Sequence, residues 1–225
     1  SRSAFLRKTL IVFQFSFAQV LIIGTLVVGW QIRYLLNKDL GFKKDAAIYF
    51  DTPWWEDASK AQVFANEMAS ISEISELSLS NDPPSSNGWS SQSVKLNNGK
   101  EEISVNAFRK FGDSNYLNFY GIELLAGRNL QPSDTVKEYL INETLMKAFG
   151  FAKPEDALDK LIAQGERKFP IVGVVKDFHT KSLHDAIDPV MMANEIKDFT
   201  CFNIRLTAAQ QTDDQLKAGL DKIET

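Results

Sequence analysis

Hydrophobic positions are massed at one end of this chain and periodic along the rest. Residues 9–31 carry no charge, and residues 10–30 read LIVFQFSFAQVLIIGTLVVGW. A hydrocarbon core about 30 Å thick takes roughly 20 helical residues to cross, and this run has that length. A secretory leader has a shorter apolar centre and a small-residue cleavage site, whereas this run leads into IRYLLNKDLGF. A buried core helix would carry a polar face, and none is visible here. The pattern predicts a membrane-spanning helix. Ile32, Leu35, Leu36 and Leu40 continue the helical stripe beyond Trp30, and no proline falls between 5 and 40. One unbroken helix over 5–40 is expected, about 54 Å long, with the part not needed for lipid forming a stalk. Gly41 is the first candidate for a left-handed cap, with Phe42 placed to close back on the last turn.

Beyond the stalk the period changes. AAIYF reads as a strand, residues 57–70 as an amphipathic helix with Val63 and Met68 among its apolar positions, and ISELSLS at 74–80 as an alternating strand. Together they make a β–α–β unit, followed by the loop NDPPSSNG. WSSQSVKL and EEISVNAFRKF flank Asn97-Asn98-Gly99-Lys100, a hairpin signal. Residues 113–121 predict a short helix with Asp113 as N-cap and Gly121 as stop. EYLI predicts a strand running into a helix capped by Asn142 and ended by Gly150, and Pro154 opens another helical turn. The last third holds strands at 169–178 and 199–206 and an amphipathic helix at 212–223.

Charge follows the same division. Residues 1–45 carry seven Lys/Arg against Asp39 and Asp45, a net of +5, and the other residues carry 18 basic and 27 acidic side chains, a net of −9. An acidic domain has no basic stripe for phosphates, so nucleic acid is excluded as a partner. The basic residues beside the span suit anionic lipid headgroups as partners. They lie on both sides of it, so charge alone does not orient the helix.

Candidate chemistry is sparse. No GxxxxGK[ST], GxSxG, HExxH or CxxC is present, so neither ATP hydrolysis nor another enzymatic activity is expected of this chain. No catalytic, cofactor-binding or metal residue is assigned. Asp177, His179, His184, Asp185 and Asp188 crowd hard and borderline ligands into twelve residues, but their spacing matches no metal motif, and a strand end with a polar turn accounts for them. Cys201 is the single cysteine and is expected to be buried and inert. Trp54, Trp55 and Trp89 border loops, where packing is favoured over binding of an apolar ligand. Gln14 and Gln19 sit within the apolar run. Contact with neighbouring spans and local satisfaction both fit them. Asn142-Glu143-Thr144 has the form of a glycosylation sequon and is read as a helix N-cap. Opening on SRSAFLRK and stopping inside TDDQLKAGLDKIET, the chain reads as a fragment.

Four phrases add a resemblance: the span and stalk FLRKTLIVFQFSFAQVLIIGTLVVGWQIRYLLNKDLGF, then FYGIELLAGRNL, INETLMKAFGF and IVGVVKDFHTKSLHDAIDPV. In this order they resemble FtsX/MacB-like ABC transporter permeases, in the style of Bacteroidota, over nearly the whole chain. The resemblance implies an α+β architecture: a transmembrane and stalk helix at 1–44, then a mixed α/β extracytoplasmic domain at 45–225. That domain would have a split β-α-β base (45–80 plus 170–225) and an inserted distal lobe (81–169). It implies a permease subunit of an exporter in the bacterial inner membrane. Its domain would lie in the periplasm and couple ATP-driven motion of the membrane helix to export (mechanotransmission). The implied partners are a cytoplasmic ATP-binding subunit, a second permease copy or half, and a periplasmic protein. The alternative reading is a membrane-anchored sensory or scaffolding ectodomain that binds a ligand or a cell-wall enzyme.

Overall fold

A long apolar helix and a mixed α/β domain make up the protein, as a computed structural model describes them for residues 2–37, 40–42, 47–51, 58–86, 90–181 and 185–207. They form two compact units, Ser1–Asp39 and Leu40–Thr225. Helix α1 (Arg2–Asn37) runs 36 residues without interruption, and Phe5–Tyr34 is long and apolar enough to cross a membrane. Every residue from 5 to 34 is exposed, as a helix solvated by lipid requires. The expected continuity through Trp30 is present, and α1 ends at Asn37 as described.

Three strands form a small antiparallel sheet in the order β1 (Ala47–Asp51), β10 (Cys201–Leu206), β2 (Ile74–Ser80). β1 and β2 both run opposite to β10, so they are parallel to each other with β10 between them, and α2 (Ala58–Ala69) is the crossover. The strands read from the sequence at AAIYF, 74–80 and 199–206 thus share one sheet, called the base. One face packs on α2. Phe50 stacks on Phe202 at 5.3 Å, Phe64 meets Phe202 edge-on, and Ala65 and Met68 are buried. The other face carries Ser78, Ser80, Cys201 and Asn203, all fully buried. The helix expected at 212–223 and the tryptophans Trp54, Trp55 and Trp89 lie outside the described residues.

The remaining strands form a seven-stranded sheet. Its members are β3 (Ser91–Asn97), β4 (Glu102–Phe111), β5 (Leu124–Gly127), β6 (Tyr139–Asn142), β7 (Leu161–Gln164), β8 (Arg167–Val175) and β9 (Val190–Ala193), in the order β5-β8-β6-β9-β4-β3-β7. β7 also pairs with β8, so six of the strands close into a ring. The hairpin at Asn98-Gly99 is as predicted. Gly99 takes φ +91°, and the side chains of Asn97 and Asn98 accept the turn's N–H groups.

The stretch 170–193 was expected in the base, yet β8 and β9 belong to the ring. Their residues explain this: Ile171 and Val174 enter one apolar cluster while Val172 and Val175 enter another, and Met191 and Met192 divide the same way. Strands apolar on both sides need cover on both sides. The helical turn at Pro154 is a 3-10 turn that ends at Ala157 rather than continuing. Asp159 takes a left-handed φ of +61° and redirects the chain into β7.

Candidate coupling site

The soluble domain begins at Leu40, and its first three described residues are held on the loop after β8. The Leu40 carbonyl accepts the His179 backbone N–H at 2.9 Å. Gly41 has φ +79°, and a Cβ there would stand 2.6 Å from the Asp177 carbonyl oxygen and 2.8 Å from the Phe178 Cα. Both obstacles are backbone, so only glycine fits. Phe42 meets the Tyr120 ring edge-on at 6.0 Å. The sequence reading placed Gly41 correctly as a left-handed turn, but Phe42 packs on Tyr120 of the second apolar cluster. That cluster offers it far more apolar surface than one helical turn.

The loop that receives the chain is itself fastened. The Asp177 carboxylate accepts from the Thr144 N–H and hydroxyl, each at 2.9 Å, in the first turn of α4 (Glu143–Ala148). Phe178 is fully buried. Asn142 caps α4 as predicted: its Oδ1 accepts the N–H groups of Leu145 (3.0 Å) and Val190 (2.9 Å), and its Nδ2 donates to the Asp188 carbonyl. Asp188 pairs with Lys181 at 3.1 Å and accepts from Thr180 Oγ1. Asp177 and Asp188 are thus occupied as structural acceptors, and Asp185 is exposed. His184 lies outside the described residues, and among those described no three His, Cys, Asp or Glu side chains gather as a metal cluster would.

From this loop the contacts reach the base through α3 (Tyr116–Tyr120), which ends at Gly121 with φ +63° as predicted. The Tyr120 hydroxyl donates to Asn203 Oδ1 at 2.7 Å, and Arg205 donates to the Phe119 carbonyl. Asn203 Nδ2 donates to the Ser78 carbonyl and to Ser80 Oγ, so the buried amide joins β10, β2 and α3. Asp113 lies two residues before the N-cap position of α3, Asn115, whose N–H its carboxylate accepts at 3.0 Å. Its carboxylate accepts from Ser78 Oγ (2.7 Å) and from the Leu79 N–H (3.0 Å), tying the end of β4 to β2, and burial pushes it above the usual carboxylate range. The loop 82–86 is anchored by Lys110, whose buried Nζ donates to the Pro83 carbonyl and Ser86 Oγ; burial lowers its pKa to about 8. Cys201 is buried as expected, its thiol pushed up to about 12 by burial.

All four phrases that carry the resemblance have residues here, the first through Leu40–Phe42, and two further glycines have one cause. A Cβ on Gly127 would lie 2.2 Å from the Val172 carbonyl oxygen, and one on Gly173 would lie 2.6 Å from the Arg128 carbonyl oxygen. β5 pairs antiparallel with β8 at these two residues, where backbone carbonyl oxygens fill the space a side chain would take. Sequence reasoning missed Asn203 and the contact of Asp113 with β2, because one polar residue in an apolar strand and one Asp before a helix carry no signal of a distant partner.

No family model matches the chain, and no curated protein matches it in sequence. Solved structures do. The periplasmic region of MacB from Actinobacillus actinomycetemcomitans aligns with a TM-score of 0.56 at 14% identity, covering 84% of this chain and 86% of that one. A domain assigned to a permease protein from Porphyromonas gingivalis aligns with a TM-score of 0.52 at 15% identity, covering 80% and 83%. The soluble part of this protein has the fold of a MacB-like periplasmic domain, preceded in the chain by one apolar helix of membrane-spanning length.

Proposed function

We propose that this chain is the first membrane helix and extracytoplasmic domain of the permease subunit of an ABC-type exporter. In this reading a cytoplasmic ATP-binding subunit drives the helix, and the domain passes that movement to export or to a periplasmic partner. The fold carries the reading, since its structural neighbours are the periplasmic region of MacB and a domain of a permease protein. The segment at 40–42 is where movement would enter, three positions after the last described residue of α1. A backbone hydrogen bond and a glycine pressed on backbone leave little slack, so force at Leu40 is delivered to Asp177–His179 and through α3 to the base. Nothing in this task needs a catalytic residue, and we assign the chain no enzymatic activity. The domain divides into a base formed by 47–80 and 199–206 and a lobe formed by the ring.

The test is made on the full-length protein in native membranes. It should co-purify with an ATP-binding subunit, and its sequence beyond Thr225 should hold three further apolar spans. A kinase or cyclase domain before Ser1, with no ATPase partner, would instead support the sensory reading. Within the transporter, Gly41→Val should leave ATP hydrolysis by the partner intact while export falls. Equal export by that variant removes 40–42 from the coupling path.

A further inference from the structure

No charged residue falls between Lys8 and Arg33 of α1. At 1.5 Å per residue, the helix rises about 38 Å from residue 8 to residue 33. A bilayer has a hydrocarbon core about 30 Å thick and measures roughly 40–45 Å with its headgroups. Centred on that core, both charges fall about 4 Å outside the hydrocarbon, one in each headgroup layer.

The two ends differ. Arg7 and Lys8 stand at the first, with no Trp or Tyr before them. At the second, Trp30 and Tyr34 are 71% and 54% exposed, and their rings stack at 6.2 Å one turn apart. Arg33, also exposed, follows Trp30 by three positions and so shares its side of the helix. Indole and phenol rings favour the headgroup level, where the apolar body meets lipid and the N–H or O–H meets water. A guanidinium matches phosphate in charge and in its fork of donors. The two kinds of group oppose each other. Sliding the helix inward draws Arg33 toward hydrocarbon, and sliding it outward brings the exposed Leu26, Val27 and Val28 toward water.

We propose that Trp30, Arg33 and Tyr34 form a phospholipid headgroup site, with the phosphate on the Arg33 guanidinium and the two rings against the glycerol and upper acyl chain. The site rests on the membrane-spanning reading of α1. It sets the depth of the helix: Val20 lies at the bilayer centre, and only the turn after Arg33, ending at Asn37, stands beyond the headgroups. A helix held at one depth moves by tilt or rotation about its anchor, and a stroke along its own axis is resisted.

The experiment places the full chain in nanodiscs of phosphatidylcholine and phosphatidylglycerol, brominated at acyl positions 6,7 or 11,12, and reads tryptophan fluorescence. Subtracting the spectrum of Trp30→Phe isolates Trp30 from the tryptophans at 54, 55 and 89. Trp30 should be quenched about twofold more by the shallow bromines than by the deep ones. Val20→Trp, made in the Trp30→Phe background, should show the reverse. Arg33→Gln removes the phosphate contact and should bring the Trp30 ratio toward one. All of these positions are exposed on α1, so none of the substitutions disturbs a packed core. Three results would overturn the headgroup site while the span stands: deep quenching of Trp30, no quenching of Trp30 beside a deeply quenched Val20→Trp, or a ratio untouched by Arg33→Gln. No quenching at Val20→Trp would overturn the span and the site together.

Discussion

The base sheet and the strand ring are held together by different physics. The base draws its strands from opposite ends of the domain. Besides the α2 contact it is fastened by buried polar groups: Asn203 to Tyr120, Ser78 and Ser80, and Asp113 to Ser78 and Leu79. The ring holds strands apolar on both faces and closes through the β7–β8 pair, and two glycines let β5, outside the ring, lie against β8. Polar fastening gives a defined register, because each donor has one acceptor, while apolar closure gives burial with little direction. A domain that passes movement from its first residues to its base benefits from directional links along that path.

Substitutions sharpen the contrast, and the strand β5 laid against the ring should give the largest effect. Gly127→Ala places a methyl against the Val172 carbonyl at a left-handed φ of +80°. A loss of about 3–5 kcal/mol, read as a collapsed chemical-unfolding midpoint, is expected. In the base, Asn203→Ala strands the Tyr120 hydroxyl and Ser80 in a dry site, and about 2–4 kcal/mol should be lost. A change under 0.5 kcal/mol would mean that the polar fastening is ornamental.

Lys110 adds a pH dependence. Its folded pKa of about 8 lies below the ordinary 10.5, so the folded state binds fewer protons between those values. The cost of burying the charge is full below pH 8 and is relieved as pH rises toward 10.5. Relative to Lys110→Met, the native protein should gain about 2 kcal/mol between pH 7 and pH 10 in unfolding measurements. A flat difference would show that Lys110 stays solvated. The smallest effect belongs to the ring's outer surface. The Lys95–Glu102 pair at 2.8 Å is exposed, and Lys95→Gln should leave the melting temperature unchanged.

The sequence alone determined whatever rests on local pattern. The uncharged run fixed α1, the Asn-Gly turn fixed the β3–β4 hairpin, alternation fixed β2, and Asn142 and Gly121 marked helix ends. It did not show β5, β7 or β9, each four residues long and too short for a period to declare itself. Leu158 and Leu161 even keep helical spacing across the turn at Asp159. Only the tertiary structure decided that β8 leaves the base for the ring, that Asp113 serves β2, and that Gly41 rests on Asp177 and Phe178. Those outcomes depend on which backbone comes close to which across more than 30 residues, and a linear pattern encodes the need for a partner without its address.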